Sequence, residues 1–304
     1  MSETTVLQGM GWLPDYPSFK DFTSRHDVVP PKLKQFGQVD SVNTMLKKVG
    51  TSGPAKAGLP ASTDLRQWCS PIENQLNLGS CTAHAGVGIV EYFEKRAFGN
   101  HIDASRLFLY KVTRNLMNVT GDSGAFLRKT MEGMVLFGVP PEEYWKYVVA
   151  DYDKEPTAFL YSFAQTYQSI SYFRFDPPGT TRDALLAMIK TLLSKGIPSM
   201  FGFTVYNSID QASGTGKIPF PTSAERVLGG HAIDAVGYDD AMKIKNNGPA
   251  GIETVGALLI RNSWGTVWGD KGYGWLPYDY VLKGLAVDWW ALLKNEWVNT
   301  GIFK

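Results

Sequence analysis

Cysteine is scarce in this chain. There are two, Cys69 and Cys81, too few for a disulfide framework, so stability has to come from a packed core. Long apolar runs are missing as well: no stretch approaches the ~18 consecutive apolar residues of a membrane span. The opening MSETTVLQGMGW has neither the basic flank nor the apolar run of a secretory signal, so the expectation is a cytosolic protein without a membrane partner. An excess of either charge is lacking too. Thirty Lys plus Arg face 29 Asp plus Glu, and no basic run is interleaved with aromatics, which argues against nucleic acid as a partner.

What is present is the composition of a folded protein, 44% hydrophobic and 19% charged over 304 residues, enough for two domains or one large one. Residues 1–58 carry Pro, Gly and scattered aromatics, as in Gly11-Trp12-Leu13-Pro14-Asp15-Tyr16-Pro17, and they end in a small-residue run from Gly50 to Gly58 that reads as a linker. That run lacks the G-x-x-x-x-G-K-[ST] pattern of a phosphate loop. From Cys81 to Phe98 apolar residues recur at helical spacing and Gly99 supplies a stop. Further helical patterns cover Ser105 to Met117, Gly124 to Phe137 and, after Thr180 and Thr181, Arg182 to Leu193. Later, Ile197 to Val205, His231 to Tyr238, Ala257 to Asn262 and Tyr273 to Tyr278 read as strands. Helices first and strands later predict an α+β protein, with a helical lobe over 59–165, a β lobe over 166–304 and a cleft between them.

Three pieces carry chemistry. The loop Gln75-Leu76-Asn77-Leu78-Gly79-Ser80 runs into Cys81 at a helix N-terminus, where unpaired N–H groups and the helix dipole favour a thiolate. The Gln75 side-chain amide and the Cys81 backbone N–H could together serve an oxyanion. His231 follows Gly229-Gly230, glycines that let a substrate backbone approach, and reads as the opening of a strand. Asn262 ends another strand and precedes Ser263-Trp264-Gly265, so that its carbonyl can fix the imidazole tautomer while Trp264 shields the bond.

Together these pieces resemble the papain family of cysteine peptidases, nearest its bacterial branch: a Gln six residues before the nucleophile, an S-C-x-A helix start, a G-H-A strand and an N-S-W-G-x-x-W-G run, over roughly residues 59 to 281. The resemblance implies a two-lobe papain-like fold with an antiparallel, β-barrel-like second lobe. It also implies a thiolate–imidazolium pair, cleavage of peptide or protein substrates as an endopeptidase through a thioester acyl-enzyme, and no cofactor or metal. It assigns catalysis to Cys81, His231, Asn262 and Gln75, and substrate contacts to Ser123, Gly124, Gly230 and Trp264, with Ala125, Phe126 and Gly229 as lining for a specificity pocket. Thr82 stands where the family usually has Trp, the flanking disulfide cysteines are absent, and the region before Leu59 is shorter than the family's long helical prosegment. For that region two arrangements are open: an extension packed permanently on one lobe, or a regulatory, zymogen-like segment lying in the cleft. Its aperiodic, Trp- and Pro-rich sequence favours the second.

Plainer readings stand beside these. A lone cysteine opening an apolar helix is usually a small buried hydrophobe, and Cys69 is read so. His84 with the two cysteines lacks the spacing of a zinc site and reads as a packed helix residue. A papain-like binding protein that has lost catalysis is disfavoured because all four chemical positions are intact. A Cys-His acyltransferase of the transglutaminase type is disfavoured because the third position is Asn262 and not an Asp.

Overall fold

The computed structural model describes residues 9–35, 37–51, 58–167 and 171–303. Two short helices, α1 (Pro31–Gln35) and α2 (Val42–Val49), precede strand β1 (Ser62–Asp64). The helical lobe follows as α3 (Cys81–Phe98), α4 (Arg106–Met117), α5 (Leu127–Leu136) and α6 (Ala158–Ala164). The remainder is β2 (Ser171–Arg174), α7 (Arg182–Ser194), β3 (Ser199–Tyr206), β4 (Val227–Lys245), β5 (Glu253–Arg261), β6 (Tyr273–Pro277), α8 (Tyr278–Leu282), β7 (Ala286–Leu293) and α9 (Asn295–Asn299). Most of the expected linker, residues 52–57, lies outside the described residues.

Every residue of α3 from Cys81 to Phe93 is buried, so this helix is the hydrophobic axis of the molecule and not an amphipathic surface helix. Gly99 ends it in the left-handed conformation. Ser105 and Thr181 cap α4 and α7 by accepting the N–H of Phe108 and of Ala184. The strands form one antiparallel sheet in the order β2-β7-β3-β4-β5-β6, with β1 added on β4. It is not the closed barrel the resemblance implied, for β2 and β6 lie at opposite ends of that order among the described residues. The closing element is β7, whose Trp289 and Trp290 are buried and which runs between β2 and β3. β4 also departs from expectation. It starts at Val227, ahead of His231, because Gly229 and Gly230 already pair with Val205 and Thr204 of β3.

A buried polar chain fixes α3 against the sheet. Arg106 of α4 lies 3.2 Å from Glu91 of α3, Ser70 donates to Glu91, and Arg261 of β5 donates to Ser70 at 2.8 Å and stands 3.9 Å from Asp234 of β4. Glu91 is fully buried, so Arg106→Met would leave its charge uncompensated and is expected to cost about 3–5 kcal/mol of stability, read as a lowered urea midpoint.

The N-terminal region lies partly in the cleft and partly on the β lobe. Its first described residues, 9 to 13, run between the lobes, after which Phe22 and Thr23 cover β2 (Arg174 N–H to Phe22 O, 2.7 Å). Asn295 of α9 then accepts the N–H groups of Val39 and Asp40 at 3.0 and 3.1 Å. An otherwise open sheet edge is thereby blocked.

Candidate active site

Cys81 is the first residue of α3, and its approach is held in place from the helical lobe. Asp122 accepts the Gly79 N–H at 2.9 Å and the Tyr110 hydroxyl at 2.5 Å. Across the interface α3 packs on β4, so that the Ala232 N–H points at Cys81 Sγ from 3.4 Å. His231, the residue before Ala232, is fully buried. Its Nε2 lies 2.8 Å from Asn262 Oδ1. A carbonyl oxygen cannot donate, so Nε2 carries the proton and Nδ1, buried and without a hydrogen-bond partner, keeps its lone pair. The Ser263 N–H donates to the same Asn262 oxygen at 2.8 Å and sets the amide's orientation. Trp264 stacks on the imidazole at 4.6 Å between centroids and 19° between planes, and so covers one face of the ring.

Gln75 is fully buried. Its Oε1 accepts the Ser263 hydroxyl at 2.6 Å, which forces the NH₂ to face the cleft. Sequence reasoning passed over Ser263, although it sits inside the N-S-W-G run that was singled out. The NH₂ donates to Gly9 O at 2.9 Å and Leu78 O at 2.8 Å, and Trp264 Nε1 donates to the same Gly9 oxygen at 3.2 Å. A main-chain carbonyl of the N-terminal segment therefore rests on one of the two donors expected for an oxyanion, the Gln75 amide, together with the Trp264 indole N–H.

From there the segment crosses the cleft as a strap. The N–H groups of Gly11 and Trp12 both reach Gly230 O at 3.1 Å, Ala125 N–H donates to Gly11 O at 2.7 Å, and Leu13 N–H donates to Ala125 O at 3.0 Å. Gly230 thus makes backbone contacts with the strap. On the facing wall it is Ala125, one residue on, that pairs, because the Gly124 N–H is spent on the Tyr110 hydroxyl at 3.1 Å and its carbonyl on the Ser123 hydroxyl at 3.0 Å. Ser123 is exposed at the rim, and Gly229 lies against Met10.

Beneath the strap the site is fully buried. Burial pushes the Cys81 thiol up to about 12, against the N–H groups of Ala232, Thr82 and Trp12, and burial pulls His231 down to about 4, against Asn262. Both shifts favour the neutral thiol and the neutral imidazole while the strap is in place. Cys69 is buried and pushed up to about 11 although Arg261 lies near, which suits a structural thiol. His84 is packed as expected, with Nδ1 3.1 Å from Ser80 O and its ring edge-on to Tyr147.

The model of a family described as Papain family cysteine protease matches residues 59–283. An uncharacterized peptidase C1-like protein of Acanthamoeba polyphaga mimivirus is 35% identical over 234 residues, covering 75% of this chain and 71% of that one. Peptidase 1 of Psoroptes ovis is 27% identical over 237 residues, and the match spans 63% of that protein's length. Among solved structures, xylellain, a cysteine protease from Xylella fastidiosa, superposes with a TM-score of 0.70 at 30% identity, over 94% of this chain and 96% of the other. With Cys81, His231 and Asn262 gathered across the two lobes and a family match over most of its length, this chain belongs to the papain family of cysteine proteases.

Proposed function

We propose that Cys81, His231, Asn262 and Gln75 carry the peptidase chemistry and that the strap of residues 9–13 inhibits it from within the cleft. The observation that supports the first half is the His231 ring, fixed through Nε2 by Asn262 with Nδ1 left without a partner, on the residue next to the Ala232 whose N–H points at Cys81 Sγ. With substrate in place of the strap, Nδ1 takes the thiol proton as Sγ attacks the scissile carbonyl, and the oxyanion moves onto Gln75 Nε2 and the Cys81 N–H at the start of α3. The imidazolium then protonates the departing amine, and water attacks the thioester with the same ring as base. Asn262 holds one tautomer throughout.

The strap reading rests on Gly9 O, which occupies the amide donor that the oxyanion needs. Alkylation by limiting iodoacetamide at about pH 5.5, located by mass spectrometry with Cys69 as internal control, tests both halves: Cys81 is expected to stay unlabelled in the intact chain and to react rapidly once the strap is displaced. A Cys81 that stays silent after displacement refutes the catalytic reading. Gln75→Ala, in a chain with the strap weakened, is expected to lower kcat by about 10²–10³ with little change in KM, since it removes a donor used mainly in the transition state.

A further inference from the structure

The strap reaches beyond the nucleophile through one side chain. Trp12 is 4% exposed, and its indole fills a slot cleared by two glycines on adjacent strands. A Cβ on Gly202 of β3 would fall 1.9 Å from the indole ring, and one on Gly230 of β4 would fall 2.8 Å from it. At the far end the indole N–H donates to Asp288 Oδ2 at 3.1 Å. Asp288 belongs to β7, is fully buried, and holds a left-handed backbone at φ 62° that a non-glycine residue seldom adopts.

The charge around that carboxylate decides what the slot accepts. Arg174 stands 3.1 Å from Asp288 and 2.8 Å from Asp176, and Trp290 Nε1 donates to Asp288 Oδ1 at 2.7 Å. Further along the N-terminal segment, beyond the strap, Asp21 lies against Arg174 at 3.7 Å and against Arg128 at 3.0 Å, and Asp15 lies 2.9 Å from Arg128. At the end of the slot itself the Asp288 carboxylate is already paired with the Arg174 guanidinium in direct contact, so its charge is matched before any cation enters. What remains is one acceptor oxygen at the end of a flat, glycine-walled space.

Building on the peptidase reading above, we infer that this slot selects a substrate residue whose side chain is flat, aromatic and tipped with an N–H donor, tryptophan above all, with Asp288 as the acceptor that reads it. A naphthyl group fits the walls but leaves the carboxylate unmatched, and an arginine meets the Arg174 guanidinium at the floor. The selection is a penalty on unpaired buried groups, which discriminates more sharply than the fit of an apolar wall.

Trp12→Ala in the full-length chain empties the slot and leaves Asp288 in place. Calorimetric titration with indole, 1-methylindole and phenylguanidinium then reads the slot without any turnover. Indole is expected to bind about tenfold more tightly than 1-methylindole, the factor for one hydrogen bond to a charged acceptor, with phenylguanidinium no tighter than 1-methylindole. Equal affinities for the two indoles, phenylguanidinium as the tightest ligand, or no binding by any of the three overturns the inference. Should Trp12→Ala fail to fold, Trp12→Phe keeps a ring and drops only the donor. A peptide library presented to it is expected to be cut about tenfold faster at sites with tryptophan than at the same sites with naphthylalanine or arginine, and the reverse order overturns the inference. Indole selectivity in a chain that hydrolyses no peptide would support the slot and refute the catalytic reading alone.

Discussion

Trp12→Ala is expected to raise kcat/KM of the full-length chain toward a fluorogenic peptide by about two to three orders of magnitude. The indole is the best-buried side chain of the strap segment in the cleft, and truncating a buried tryptophan costs about 3–5 kcal/mol, with ~1.4 kcal/mol per factor of ten in an equilibrium. The loss falls almost wholly on the closed state, since an open strap leaves Trp12 in water in either chain. The main-chain bonds to Gly230 and Ala125 survive the substitution, so the strap is loosened and not removed. Alkylation of Cys81 should accelerate in parallel, because opening the cleft rehydrates a thiol that burial had pushed up to about 12 and an imidazole it had pulled down to about 4. Unchanged activity together with unchanged labelling would mean that the strap is structural and does not gate the site.

His231→Ala, made in the Trp12→Ala background, is expected to lower kcat by about 10⁴ or more, with KM changed far less. Two functions are lost at once: the acceptor that makes the thiolate and the acid that releases the amine. The substitution also removes the ring stacked on Trp264 and frees the Asn262 carbonyl, so some stability goes with it. Folding and catalysis are separated by a second variant, Asn262→Ala, which keeps the imidazole and releases its tautomer. It should lower kcat by less than His231→Ala does. A His231→Ala chain that is folded and retains turnover within tenfold of its parent would remove His231 from the mechanism.

Much of this site was legible because its parts are local. The α3 boundaries followed from spacing and a terminal glycine, and the Gln75–Cys81 loop, the His231 strand and the Asn262–Trp264 run each carry their chemistry within a dozen residues. What failed to show depends on partners remote in sequence. β4 was begun too late because Gly229 and Gly230 look like a turn until β3 pairs with them. The strand signal was carried past Pro277 into Tyr278, which opens α8. Asp288 gave no signal, being one acid in a tryptophan-rich stretch whose indole partner, Trp12, lies 276 positions away. The pairing of Ala125 in place of Gly124 turns on a hydroxyl of Tyr110, which no spacing along the chain reveals.

The strap and the cleft belong to one chain, and on the inhibitory reading that makes the inhibitor's concentration a constant. A tethered segment meets its site at an effective concentration on the order of millimolar, whatever the dilution of the protein, so micromolar substrate is outcompeted at every protein concentration. Diluting the protein cannot switch it on, and crowding cannot switch it off. Control passes instead to events that change the tether or its contacts: a cut between Leu13 and Leu59 turns a permanent neighbour into a free peptide, whose hold then falls away as it diffuses into the surrounding volume.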